Sequence, residues 1–161
     1  MPTLMIGDYV TVDTRTTNRG FGDVVVFDNP KQPSVTLMKR IIGVPGDQII
    51  YRDKKLVINE NEVTYKKTRD VDTFSNVSII EFLEEFGETN YKVFHDLLKE
   101  SEPIEFTVPD GQYFVLGDNR DHSRDSRYLG FIPAENIHGV ATYVWFSWED
   151  LSRMGFNIKV R

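Results

Sequence analysis

Two stretches of the chain carry residue types whose spacing can do chemistry. The first is Val35-Thr36-Leu37-Met38-Lys39-Arg40-Ile41-Ile42, an apolar and β-branched run that reads as a strand, in which successive side chains fall on opposite faces. Val35, Leu37, Lys39 and Ile41 then share one face, and Thr36, Met38, Arg40 and Ile42 the other. The Lys39 amine is thereby set in register with an apolar surface. An amine moved out of water loses hydration of its charged form, and its pKa can fall to about 7–8, where it serves as a general base near neutral pH. The same pattern also fits a lysine that snorkels from a strand end or pairs with a carboxylate, and spacing alone leaves both open.

The second stretch runs from Gly117 to Gly130, with three Asp and three Arg among turn-forming residues. A calcium loop starting at Asp118 would need oxygen ligands where Arg120 and His122 stand, so its pattern is not met. No Walker-type phosphate loop occurs either. Asp–Arg bridges that simply pin a folded loop account for most of these charges. Ser123 is less easily absorbed, because a hydroxyl held by such a loop could hydrogen-bond a neighbouring amine. The three histidines, 95, 122 and 138, show no metal-ligand spacing and read as surface or loop residues, so no metal or cofactor is expected. Gly-x-Ser-x-Gly, which would support a Ser-His-Asp triad, is absent, and with no Cys in the chain there is no thiolate nucleophile or disulfide.

These residues need a scaffold, and 161 residues with 40% hydrophobic side chains suffice for one core with a sizeable insertion. Nineteen Lys and Arg against 25 Asp and Glu leave a net charge of -6, which gives no broad basic footprint for nucleic acid. Strands are predicted at Tyr9–Val12 and Val24–Phe27, each after a Gly-Asp turn, at Val35–Ile42 after a loop over 29–34, and at Gln48–Tyr51 and Lys55–Ile58. They return at Ile104–Val108, Gln112–Leu116 and Val140–Trp148. Between 59 and 103 long charged side chains dominate, and Ser78–Phe86 fits either a short helix or one arm of a hairpin turning at Gly87. No run of 18 apolar residues is present.

The opening Met1-Pro2-Thr3-Leu4, then Gly7-Asp8, Gly22-Asp23-Val24-Val25-Val26-Phe27, Lys39-Arg40 leading into Gly43-Val44-Pro45-Gly46-Asp47, and the Gly117–Gly130 segment together resemble the bacterial type I signal peptidases. The resemblance covers about 1–55 and 104–148, in the family's order. It implies a mostly β fold of coiled antiparallel sheets, as in signal peptidases and self-cleaving repressors. The catalytic core would comprise 1–58 and 104–150, with 59–103 an inserted cap and 151–161 a C-terminal tail that is either solvated or in touch with a membrane surface.

It further implies a membrane-bound endopeptidase with a Ser-Lys dyad that removes signal peptides after small-x-small sites on the outer face of the cytoplasmic membrane. Lys39 would be the base and Ser123 would orient its amine. Asp118, Arg120, Asp125 and Arg127 would hold the loop, while Arg40 and Asn119 match the family with less defined roles. Leu37 and Met38 fall on the strand that pairs with the extended substrate, and Leu4 on the pocket for small side chains. The nucleophilic serine is expected two residues before Met1, upstream together with the membrane anchor, so the 161 residues alone are expected not to cleave. The rival expectations are a related Ser-Lys peptidase of a conjugation system, a self-cleaving repressor, and a non-catalytic β-rich module that keeps the peptide groove. The repressor is disfavoured because no DNA-binding helical segment is evident.

Overall fold

The structure, a computed structural model, describes residues 3–74 and 77–158. Strands β1 (Asp8–Asp13), β2 (Val24–Asn29) and β3 (Gln32–Gly43) open the chain. Both expected Gly-Asp turns are present. At the second, Gly22 adopts φ +87°, and a Cβ there would stand 2.6 Å from Thr89 Cγ2, so the turn has room only for glycine. The loop expected over 29–34 is shorter than predicted, because β2 and β3 join through Pro30-Lys31 alone and Asn29 pairs with Gln32. Pro33, which has no N–H for the ladder, falls within the register shift between Asp28 and Asn29.

β4 (Gln48–Arg52) and β5 (Lys55–Ile58) form a hairpin whose turn residues Asp53 and Lys54 have φ of 50° and 64°, the twist that two-residue hairpin loops require. After β6 (Asn61–Glu62) come β7 (Thr64–Phe74), β8 (Val77–Phe86) and β9 (Thr89–Asp96), a three-stranded antiparallel meander. Of the two readings of Ser78–Phe86, the hairpin arm is therefore the one adopted, with Phe86 opposite Thr89 across the turn. Periodicity could not show this because each face of β8 buries a carboxylate: Glu84 lies on the core-facing side with Phe82 and Phe86, and Glu81 on the other side beneath Arg69 and Lys92.

β10 (Ile104–Thr107) pairs with β4, and β11 (Gln112–Leu116) pairs with β3 and with β12 (Ile132–Pro133). Between β11 and β12 lie a 3-10 turn over Arg120–His122 and a single helical turn, α1 (Ser126–Leu129). β13 (Ile137–Ser147) runs between β1 and β2. The segment expected as a tail is built into this sheet as far as it is described: β14 (Phe156–Asn157) pairs with Val144 and Tyr143, and Ile158 is buried beside Leu4, Val24 and Ala141. Residues 159–161 lie outside the described part.

The result is mostly β: a seven-stranded sheet in the order β1-β13-β2-β3-β11-β12 with β14 attached, a four-stranded sheet β10-β4-β5-β6, and the meander. One core cluster joins all three, through Ile42 and Phe114 of the large sheet, Ile49, Tyr51 and Leu56 of the second, and Tyr91 and Val93 of the meander. The opposite face of the large sheet buries Val25, Phe27, Ile41 and Val115 against Leu129 and Ile132. β3 therefore sits centrally, with apolar packing on both faces.

Candidate active site

Lys39 lies near the C-terminal end of β3, paired with Val25 of β2. On the other edge β11 pairs only with Arg40, Ile41 and Gly43, so among the described residues β3 has a free edge from Gln32 to Lys39. Past Leu116 the chain turns away from the sheet, and Gly117 and Asp118 cross beside Lys39. Leu4, Val24, Met38, Lys39, Arg40, Gly117 and Asp118 line a pocket of about 10 Å³, room for about one water-sized or methyl-sized group. The Lys39 amine donates to the Met38 carbonyl at 2.9 Å. Burial pushes its pKa below the ordinary lysine value, opposed by the carboxylates of Asp125 and Asp118.

Arg40, on the other face, is fully buried and forms a two-pronged ion pair with Asp118, Nε to Oδ1 at 2.8 Å and Nη2 to Oδ2 at 2.7 Å. It also donates to the Gly22 carbonyl at 2.7 Å and to Thr3 Oγ1 at 2.8 Å. Burial pushes the Asp118 carboxyl up, and Arg40 overcomes this and holds it below the usual carboxylate range. Thr3 is fixed in turn from the C-terminal side, since Arg153 donates to its carbonyl at 2.8 Å.

Asp125 caps α1 and accepts the Gly117 N–H at 3.0 Å, while Arg127 Nε and Nη2 each reach its carboxylate at 2.8 Å. Ser126 Oγ accepts the Val115 N–H at 3.0 Å. Two tight backbone attachments thus bring the end of the loop back against its beginning. A Cβ on Gly117 would lie 2.1 Å from Ser123 Oγ and 3.5 Å from Lys39 Cδ, so Ser123 and Lys39 both pack against Gly117. Ser123 Oγ is buried with no hydrogen-bond partner among the described residues, and the amine is turned to Met38 instead.

The Asp–Arg bridges expected within the loop account for only part of its charge. Arg120 is fully buried against Glu84 of β8, with Nη1–Oε2 at 2.5 Å and Nη2–Oε1 at 2.8 Å. Asp121 pairs with Lys54 at 2.6 Å and accepts the Asp96 N–H at 2.8 Å. Asn119 makes a parallel bridge with Phe94. Glu84, Tyr91, Lys54 and Thr3 are the contributors that spacing did not reveal. Glu84 could have been suspected only from being an acidic residue in a strand of uncertain period.

Of the residues expected at the substrate, Leu4 and Met38 line the pocket with Lys39, whereas Leu37, on the same face of β3 as Lys39, packs against the cluster of Phe27 and Ile41 instead of lining that pocket. The surface reading of the histidines fails for His95, which is 2% exposed, with the rings of Tyr65 and Phe82 edge-on at 5.8 and 5.4 Å. Burial, aided by Arg120, Lys54 and Arg127, lowers its pKa to about 3. His122 and His138 are partly exposed and pair with Asp96 and Asp28. Among the described residues no group of three or more His, Asp or Glu side chains is arranged to hold a metal ion, and no helix is long and apolar enough to cross a membrane.

Comparison with known proteins follows the same residues. A family model described as "Signal peptidase, peptidase S26" matches residues 1–148. A protein named Signal peptidase I from Pseudomonas aeruginosa is 34% identical over 178 residues, covering 92% of this chain and 62% of the relative. Another of that name from Rickettsia typhi is 41% identical over 140 residues, covering 78% of this chain and 52% of the relative. The chain thus spans between half and two thirds of the length of these relatives. A crystal structure of a signal peptidase I from Enterococcus faecalis superposes with a TM-score of 0.48 at 29% identity, covering 80% of this chain and 98% of that one.

Proposed function

The chain belongs to the signal peptidase family, peptidase S26, and on that premise we propose that it is the catalytic region of a membrane-associated serine endopeptidase with a Ser-Lys dyad. Its substrates are signal peptides of exported preproteins, cut after small-x-small sites on the outer face of the cytoplasmic membrane. The observation that carries this reading is the Lys39 amine, desolvated at the free edge of β3 and sharing a pocket with the N-terminal segment.

An extended peptide adds to that edge as a further strand, so backbone hydrogen bonds supply affinity at every residue type. Selectivity comes from the pocket of Leu4, Val24 and Met38, whose size suits a methyl group and little more. The nucleophile is the serine that the family resemblance expects two residues before Met1. Thr3, bonded to Arg40, and Leu4, in the Lys39 pocket, support this, because they bring the N-terminal segment to the site.

In the reaction neutral Lys39 takes the serine proton as the oxygen adds to the scissile carbonyl. The resulting ammonium gives that proton to the departing amine as the peptide bond breaks, leaving an acyl ester. Water, deprotonated by the same amine, then adds to the ester, and the ammonium returns that proton to the serine oxygen as the ester bond breaks and the acid is released. Ser123, whose buried hydroxyl has no hydrogen-bond partner among the described residues, orients the amine by accepting a hydrogen bond from it in this reaction.

The test is cleavage of a preprotein carrying an Ala-x-Ala site by the protein with its native upstream sequence, reconstituted in lipid. Cleavage after the second Ala, lost in Lys39→Met, is expected. An intact protein that leaves such a preprotein uncut, or one that cuts it equally well without Lys39, overturns the assignment.

A further inference from the structure

Glu84 and Tyr91 stand directly opposite each other on β8 and β9, and both side chains are buried in the core. The Tyr91 hydroxyl donates to Glu84 Oε1, the carboxylate oxygen that also receives Arg120 Nη2. The same tyrosine ring lies 4.0 Å beneath the guanidinium of Arg40, the immediate neighbour of Lys39 and the partner of Asp118. One tyrosine thus links two fully buried arginines, each neutralised by a single carboxylate. The backbone of β9 follows the same course: Phe94 N–H donates to the Asp118 carbonyl at 2.8 Å, and Asp96 N–H to Asp121 at 2.8 Å.

We propose that Glu84, held by Tyr91, is a positioning residue for the active site, fixing Arg120 and with it the loop that sets Gly117 and Ser123 against Lys39. The proposal rests on Lys39 being the catalytic base. A guanidinium does not lose its proton in a protein, so Arg120 deprived of its carboxylate must reach water. It can do so only by drawing residues 119–122 away from β9, and Ser123 follows one residue later. The contact of Ser123 with Gly117, which itself lies against Lys39, then loosens. Glu84 is faced by Arg120, Tyr91 and Tyr65, with Arg40 and Tyr51 beyond, while Lys39 is faced by Asp125 and Asp118. On this account Glu84 and Tyr91 tie the 59–103 region to the active site, so the region is not a removable cap.

The contrast that isolates this role is Glu81 of the same strand, also buried, whose partners are Thr68, Arg69 and Lys92 of the meander itself. Glu84→Gln, Tyr91→Phe and Glu81→Gln are made in the protein with its native upstream sequence. Two quantities are read: kcat and KM on a small-x-small peptide, and the pH dependence of Lys39 modification by an amine-reactive ester, followed by peptide mass spectrometry. Glu84→Gln is expected to lower kcat about tenfold or more with KM within about twofold, and to move the Lys39 titration toward ordinary lysine values. Tyr91→Phe, which keeps the ring under Arg40, shifts both in the same direction by less, and Glu81→Gln shifts neither. The proposal is overturned if Glu84→Gln lowers the melting temperature but leaves kcat and the Lys39 titration at wild-type values. If Glu84→Gln does not fold, Tyr91→Phe decides by the same two readouts. Should the wild-type protein cleave no such peptide, the functional reading fails, and the Lys39 titration still decides the positioning role.

Discussion

The hydroxyl of Ser123 occupies the space that a side chain on Gly117 would need, 2.1 Å from the ideal Cβ position. The Ser123 Cβ is only 2.5 Å from that point, so rotating the hydroxyl away does not relieve the clash. Gly117→Ala is therefore expected to displace the loop and not merely to crowd it. The expected cost is about 1–3 kcal/mol of stability, with activity down about 100-fold from misplacement of the Lys39 surroundings. Thermal melts and a cleavage assay check this; an active, wild-type-like Gly117→Ala would show that the contact is not maintained in solution.

Lys39 acts as a base only when neutral, so kcat/KM is expected to rise with pH through the Lys39 pKa. Because burial lowers that pKa, the rise should be complete below the ordinary lysine range. A pH–rate profile on a signal peptide checks this. A rise centred at the value of an exposed lysine would mean that the amine is hydrated in the working enzyme.

Breaking the buried Arg40–Asp118 pair by Asp118→Ala leaves a fully buried guanidinium unpaired. A loss of about 3–5 kcal/mol is expected, or a melting temperature lower by about 10 °C. Arg40→Met combined with Asp118→Leu should recover much of that stability, since no lone charge remains, but not the activity. Calorimetry of the wild type and the two variants separates charge burial from packing.

His95 is buried neutral with a pKa of about 3, whereas in the unfolded chain it titrates near an ordinary histidine value of about 6.5. Between those two values the unfolded chain binds the extra proton, so the contribution is complete above about pH 6.5 and is lost as pH falls toward 3. The slope in that window reaches at most about 1.4 kcal/mol per pH unit. Urea melts from pH 7 to pH 4 on the wild type and His95→Phe measure it. The variant, whose ring still meets Tyr65 and Phe82, should show the shallower acid loss.

The strands flanking the site were legible because alternation is a local property. Tyr9–Val12, Val24–Phe27, Val35–Ile42 and Gln112–Leu116 each declare an inward face over a few residues, and glycine turns mark their ends. The meander was not legible, because Glu81 and Glu84 are buried carboxylates on opposite faces of β8 whose partners lie on other strands or in the loop. The fate of 151–158 was hidden for a similar reason. Phe156 and Ile158 are ordinary in a tail until the open edge of β13 beside them is known.

By itself the sequence determined a mostly β chain of the signal peptidase family, with Lys39 on an apolar strand face and a charged loop beginning at Gly117. Composition, alternation and motif order are all written along the chain, so they survive without coordinates. Only the tertiary structure decided that Arg120 answers to Glu84 and that Tyr91 links Arg40 to that pair. It also decided that, among the described residues, β3 keeps a free edge beside Lys39 and that Ser123 meets Gly117. Those facts depend on which distant groups share a desolvated space, where an unmatched charge is costly and each cation must find its own carboxylate.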